Sequence, residues 1–263
     1  MPTTSRAPLT TYVFGPDTTE TPHVLAVHGL TGHGRRWESL ATENLHDVRV
    51  IAPDLIGHGH SPWVPPWSFE QHLDALTAVV DEHIPTSARP FVIVGHSFGG
   101  ALAVRLAERL GRDVVRGLVL LDPAQGLDPH WALEVATDSL AHWDYPDADT
   151  ARATKREEGW AEVPDRLLTA EIDTHLIDLD NGRVGWRVCA PAAAAAWSEM
   201  ARDPVLPRPG SRPRSWSPTA STHRSSVRRF SRRARSSGAT TWRSCTPTAD
   251  TWCRSWNPRS PPM

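Results

Sequence analysis

The sequence predicts an α/β fold: a doubly wound, mostly parallel sheet carrying a helical insertion. Three observations carry that reading. Four short apolar runs, "HVLAVHG" (23–29), "VRVIAPD" (48–54), "PFVIVGH" (90–96) and "VRGLVLLDPA" (115–124), each end in turn or polar residues. Helix-like stretches lie between them, and strand alternating with helix is the pattern of a parallel sheet. That rhythm then breaks over residues 125–205, as expected where a segment is inserted between two sheet strands.

Each element has its own local reason. The four runs lack polar alternation, which suits strands buried on both faces. "GRRWESLATENL" (34–45) and "SFEQHLDALTAVVDEHI" (68–84) read as helices. In "GGALAVRLAERLG" (99–111), Leu102, Leu106 and Leu110 fall on one helical face, and Gly111 marks a stop. Within the insertion, "HWALEVATDSLAHW" and "AAAAAWSEMARD" read as helices. "HLIDLDNGRVGWRV" (175–188) reads as a hairpin turning on Asn181-Gly182. Five tryptophans of the insertion (Trp131, Trp143, Trp160, Trp186 and Trp197) either line an apolar pocket or pack the insertion against the body.

With 263 residues the chain can bury a full core, and one domain with an insertion is expected. A net charge of −2 gives no reason to expect a nucleic-acid or membrane partner. Cys189, Cys245 and Cys253 show no C-x-x-C spacing, which fits a reducing compartment. The first residues have no apolar core of signal-peptide type, and no run approaches a membrane span. A soluble cytoplasmic protein is expected.

The chemistry concentrates at Gly95-His96-Ser97-Phe98-Gly99, a G-x-S-x-G motif that follows an apolar strand and opens a helix. A serine there sits on a strained strand-to-helix turn, and the flanking glycines let neighbouring backbone approach. Ser97 is therefore the candidate nucleophile. His28-Gly29 ends the strand "VLAV", and the loop after it can offer the N–H of Leu30 toward the serine. With the N–H of Phe98 this makes a two-donor oxyanion hole, each donor contributing about 3 kcal/mol to the barrier reduction. His28 is either a structural residue beside that hole or the catalytic base. His96, adjacent to the nucleophile, is expected to pack with its side chain turned away. His58 and His60 in "DLIGHGHS" (54–61) lack a carboxylate or thiol at ligand spacing, so a pocket-rim loop is expected there and no metal.

Taken together, HG-x-x-G (28–32), D-x-x-G-x-G-x-S (54–61), G-x-S-x-G (95–99) and "LVLLDPA" (118–124) resemble the α/β-hydrolase superfamily with a helical lid. The resemblance covers residues 10–209. It implies a Ser–His–acid triad, an acyl-enzyme, no cofactor, and a small-molecule ester, lactone or diketone as substrate. The dehalogenase and epoxide-hydrolase branches resemble this chain less, because their nucleophile is an aspartate where it has Ser97. Asp122 stands at a position used for the acid in part of the family; the alternative is a structural role at the strand end. The division expected is a core at 1–124, a lid at 125–205 and an aberrant tail at 206–263.

The family's histidine should lie on a loop near the end of the sequence, yet beyond His175 only His223 is present, in "TASTHRSSVRR". No strand precedes it. Composition changes abruptly at the same place. Residues 210–263 hold 11 Arg, 12 Ser, four Trp and one acidic residue, Asp250, with no Leu or Ile; residues 1–209 hold 17 Lys and Arg against 29 Asp and Glu. Reading codons from the third base of each printed codon restores what is missing. Asp250-Thr251 then yields His or Tyr, Trp252-Cys253 forces valine, and Trp256-Asn257 forces glutamate. "ADTWCRSWNP" can spell G-H-M-V-P-L-V-E-P, resembling the family's histidine loop. "GSRPRSWS" permits the strand I-P-P-T-V-L-V, and Pro218-Thr219 an aspartate after it. A frame shift near Gly210 is the reading that follows. It predicts a largely disordered tail, loss of the last core strands, an exposed sheet edge and poor solubility. The alternative function is a non-catalytic protein that keeps a ligand pocket, with the basic, Trp-bearing tail free to touch nucleic acid. Oligomeric state is not legible.

Overall fold

The computed structural model describes residues 8–18 and 20–206. A five-stranded sheet is built from β1 (Thr11–Phe14), β2 (His23–Val27), β3 (Arg49–Pro53), β4 (Phe91–His96) and β5 (Val115–Leu121), in spatial order β1-β3-β2-β4-β5. All neighbours pair parallel except β1, which runs antiparallel to β3. Strand β1 has no counterpart in the sequence-based reading. Helices α1 (Glu38–Asn44), α2 (Phe69–His83) and α3 (Phe98–Leu110) fill the crossovers, with a 3-10 turn at Gly34–Trp37 before α1.

Alternate residues show that the sheet is covered on both faces. Leu25 and Val27 of β2 and Ile51 of β3 join a core with Phe69, Leu76, Leu102 and Leu106 from α2 and α3. Ala26, Val50 and Ala52 face the other way and pack with Trp37 and Ala41. Each strand therefore carries apolar residues at both parities, as a doubly wound sheet requires. Helix α2 begins where Ser68 Oγ accepts from the N–H of Gln71, and α3 stops at Gly111, whose φ is 78°.

Strand β5 departs from the expectation of burial on both faces. Arg116 and Val119 are exposed, Val119 at 45%. The reason is geometric: among the described residues β5 pairs only with β4 and is the edge of the sheet. Among the described residues no helix covers the second face of β4 and β5 as α1 covers that of β2 and β3.

The chain then leaves the sheet for α4 (Pro129–Ala141), β6 (Asp144–Tyr145), α5 (Ala148–Lys155), a kinked turn at Arg156–Trp160, α6 (Asp165–His175), β7 (Leu176–Asp178), β8 (Val184–Trp186) and α7 (Ala190–Met200). The hairpin expected at Asn181-Gly182 joins β7 to β8, and β6 adds a third strand on β8. The segment has its own small core of Trp160, Val163, Leu168, Ile172, Trp186 and Val188. Helix α7 returns to the body, with Ala196 and Met200 buried in the main core. Of the five tryptophans, Trp160 and Trp186 are buried in that core, Trp143 packs against it, and Trp131 meets Trp197 edge-on at 5.5 Å.

Candidate active site

Ser97 stands between the end of β4 and the start of α3 with φ 51° and ψ −119°. A non-glycine residue held at positive φ costs on the order of 1–3 kcal/mol and persists only where its surroundings impose it. Here they do. The N–H of Ser97 donates to Leu121 O at 2.9 Å, continuing the β4–β5 ladder one residue past the strand. Its carbonyl accepts from Ala124 N–H at 3.0 Å and from Gly100 N–H at 2.9 Å. The elbow is thus pinned to the end of β5 on one side and to the first turn of α3 on the other.

The motif glycines are required by close approach. A Cβ on Gly99 would lie 2.3 Å from His28 O and 2.4 Å from Val27 O, so the first turn of α3 rests directly on the end of β2. A Cβ on Gly95 would lie 2.5 Å from Gly99 O. On Gly29 it would meet His96 Nδ1 at 2.7 Å and Ser97 Cβ at 3.1 Å. The loop after β2 therefore passes immediately against the serine, which brings Leu30 into the neighbourhood of Ser97. Phe98 is the first residue of α3, so its N–H has no intrahelical acceptor. Among the described residues no hydrogen bond uses the N–H of Leu30 or of Phe98.

The histidines nearby are engaged differently. His28 is buried; its Nδ1 donates to Gly29 O at 2.8 Å and its Nε2 accepts from the Leu55 N–H at 2.9 Å. Both ring nitrogens are occupied, and burial, with His58 close by, pushes its pKa well below the ordinary value. His58 is buried with Nδ1 against Ile56 O at 3.0 Å, and burial holds it down to about 4. The His96 ring packs against Gly29, whose lack of a side chain leaves room for it. Burial, reinforced by Arg36, lowers its pKa, and the Asp122 carboxylate opposes that shift.

Asp122 follows β5 with φ 47° and an exposed side chain. Its carboxylate accepts no hydrogen bond among the described residues. Asp54, by contrast, is fully buried and organises the loop after β3. Its Oδ1 accepts from Gly34 N–H at 2.7 Å and its Oδ2 from His60 N–H at 2.9 Å. Ser61 closes the loop by donating to Asp54 O at 2.6 Å. The Asp-to-Ser motif is in this respect a structural knot, and the exposed His60 contributes its backbone to it. No group of three or more His, Cys, Asp or Glu that could hold a metal occurs among the described residues. His223 and the anomalous segment from residue 210 lie outside the described residues.

One buried polar group near the site went unforeseen. Glu171 of α6 receives His33 Nε2 at 2.8 Å and Arg36 Nε at 3.1 Å. Nothing in the local sequence marks it, since a glutamate in a polar helix ordinarily faces water.

Comparison with known proteins supplies the family. The sequence model described as the alpha/beta hydrolase family matches residues 24–253. Lipase LipV of Mycobacterium tuberculosis is 49% identical over 187 residues, covering 71% of this chain and 70% of that protein. The pimeloyl-[acyl-carrier protein] methyl ester esterase of Methylococcus capsulatus is 35% identical over 112 residues, covering 42% of this chain and 41% of that protein. Among solved structures, E-2-(acetamidomethylene)succinate hydrolase superposes with a TM-score of 0.58 at 22% identity, covering 74% of this chain and 70% of that one. A marine microorganism esterase does so with a TM-score of 0.56 at 21% identity, covering 76% of each. The four motifs, the elbow at Ser97 and these similarities agree: the chain belongs to the α/β hydrolase family of enzymes and is related to its lipases and esterases.

Proposed function

We propose that this chain is built as a serine ester hydrolase working through an acyl-enzyme on Ser97, and that the printed sequence has lost its general base to a frame shift near Gly210. The observation that carries the reading is the strained backbone of Ser97, held between β4 and α3 with Gly29 packed against its Cβ. In the mechanism, Ser97 Oγ attacks the ester carbonyl while a histidine takes its proton. The N–H groups of Leu30 and Phe98 receive the oxyanion, where each donor contributes about 3 kcal/mol. The alcohol leaves with that proton, and water attacks the acyl-serine to release the acid and free Ser97. Asp122 is the candidate acid that orients the histidine, in competition with an aspartate in the restored frame.

The base is the missing part. His28 has no free ring nitrogen, which supports a structural role for it. Loss of the base in a serine hydrolase costs on the order of 10⁶ in rate. Residues 1–124 form the catalytic core in this reading, residues 125–205 a lid over the site, and residues 206–263 a shifted tail in place of the last core elements. The experiment is fluorophosphonate labelling of the printed chain, of a frame-restored chain and of its Ser97→Ala variant. Labelling of the restored chain alone is expected. Equal labelling of printed and restored chains would sink the frame-shift reading, and labelling that survives Ser97→Ala would sink the nucleophile.

A further inference from the structure

A cavity of about 280 Å³ lies between the sheet body and the insertion, apart from the Ser97 elbow. The body contributes Tyr12, Arg35, His60 and the buried Asp54, with His33 beside them, to its wall, and the insertion contributes Thr174, His175 and Arg187. Two of these side chains carry polar atoms without partners. Arg187 Nε is buried and makes no hydrogen bond, and the guanidinium enters no ion pair among the described residues. His175 is 2% exposed, and its Nε2 is likewise buried without a partner. Native proteins rarely leave such groups unmatched, because a buried polar atom without a hydrogen bond costs on the order of 1–3 kcal/mol.

The main chain that carries Arg187 and the ring of His175 are both anchored. The N–H of Arg187 donates to His175 O at 2.7 Å, and its carbonyl accepts from Gly59 N–H at 2.9 Å. The ring of His175 stacks on His33 at 4.0 Å between centroids. The anionic groups close by are already committed. Asp54 accepts from Gly34 and His60, and Glu171 is taken by Arg36 and His33. Arg35 adds a second guanidinium, which shares Glu38 at the exposed surface.

We propose that this cavity is a binding site for a small oxyanion, a carboxylate or phosphate carried on a short body, gripped by Arg187 and Arg35 against His175. The planar fork of an arginine matches both anions in two-point contact. A volume of this size falls at or just below the smallest small-molecule sites, about 300 Å³, so the ligand is compact. Because its walls come from both the body and the insertion, the anion would tie the two together, and its binding would be read as stabilisation.

The test uses the full chain at neutral pH, with inorganic phosphate and with acetate, each against chloride at matched ionic strength. Thermal unfolding and titration calorimetry are read for the wild type, Arg187→Gln and Arg187→Lys. A saturable rise in Tm with one or both anions is expected, weakened at least tenfold in Arg187→Gln and less in Arg187→Lys. The phosphate and acetate arms separate the two ligand chemistries. A rise equal to that with chloride, or one unchanged in Arg187→Gln, would overturn the proposal. Should Arg187→Gln fail to fold, hydrogen exchange on the wild type decides. Phosphate- or acetate-dependent protection confined to residues 33–36 and 174–189 supports the site, and its absence overturns it.

Discussion

Arg36 and Glu171, 135 residues apart in sequence, form a buried ion pair that joins the loop after β2 to helix α6 of the insertion, with Arg36 Nε 3.1 Å from Glu171 Oε1. The side chain of Glu171 is 3% exposed, and His33 adds a second donor at 2.8 Å. Arg36 also donates to Thr31 O at 2.9 Å, so the pair is braced against the loop that carries Leu30. Removing one partner of a buried pair leaves an uncompensated charge, which costs about 3–5 kcal/mol. Glu171→Gln should lower stability by that amount in urea unfolding. A loss below 1 kcal/mol would show that the pair is solvated.

The same residue sets an acid limit. Burial alone would raise the Glu171 pKa, but the Arg36 charge and the hydrogen bonds from His33 and Arg36 outweigh it and hold the carboxyl well below its ordinary 4.5. A depressed carboxylate contributes stability that is complete above the unfolded value and is lost as pH falls through the folded one. Stability of the wild type should therefore fall more steeply below about pH 4.5 than that of Glu171→Gln. Parallel acid-unfolding curves would refute the assignment.

Lys155, the only lysine in the chain, is 5% exposed and lies between two indoles. Its Nζ is 4.5 Å from the Trp186 ring centroid and 5.0 Å from that of Trp160. Burial, with Arg36 adding repulsion, lowers its pKa to about 8. Between pH 8 and the ordinary lysine value the folded state binds fewer protons than the unfolded one, so stability rises with pH. A gain on the order of 2 kcal/mol is expected by pH 9.5. Lys155→Met should keep the packing and flatten that slope. A slope that survives in the methionine variant would have to come from another group.

The parts of this fold that the sequence makes legible are those with a local cause. Strands β2 to β4 announce themselves as apolar runs closed by polar residues, and α3 by leucines one turn apart with Gly111 after them. The elbow at Ser97 is legible because its glycines are needed for backbone contact. Strand β1 was not legible: Thr11–Phe14 is four half-buried residues whose pairing with β3 is settled some 40 positions away. Glu171 and Lys155 were missed for the same physical reason. Each sits in a polar helical stretch that looks solvated, and only the tertiary fold brings Arg36, Trp160 and Trp186 around them.

Val119 separates the printed chain from a restored one. It is 45% exposed on β5, the edge of the described sheet. An unpaired apolar edge invites intermolecular pairing, and a lysine on it discourages this. Val119→Lys should reduce light scattering of the printed chain without loss of Tm. In a frame-restored chain, where a further strand and helix would cover the same residue, the substitution should destabilise. Destabilisation of both chains would mean that the printed tail already covers β5.

Gly99 offers the sharpest test of the site. A methyl group there would press on two backbone carbonyls at the end of β2 and just past it, Val27 O at 2.4 Å and His28 O at 2.3 Å, neither of which can rotate aside. Relief requires the first turn of α3 to lift from β2, which carries the N–H of Phe98 away from the loop holding Leu30. Overpacking of this kind costs about 1–3 kcal/mol or more. On the proposed role of Phe98 and Leu30 as oxyanion donors, the catalytic loss should exceed it, because such donors act only when aligned to within a fraction of an ångström. Gly111→Ala is the control. It meets nothing within 4 Å and carries only the backbone strain of φ 78° and ψ 175°, about 1–3 kcal/mol. In a frame-restored chain, Gly99→Ala should nearly abolish fluorophosphonate labelling at temperatures where it remains folded, while Gly111→Ala labels normally. Equal labelling of the two would place the oxyanion donors elsewhere than on Phe98 and Leu30.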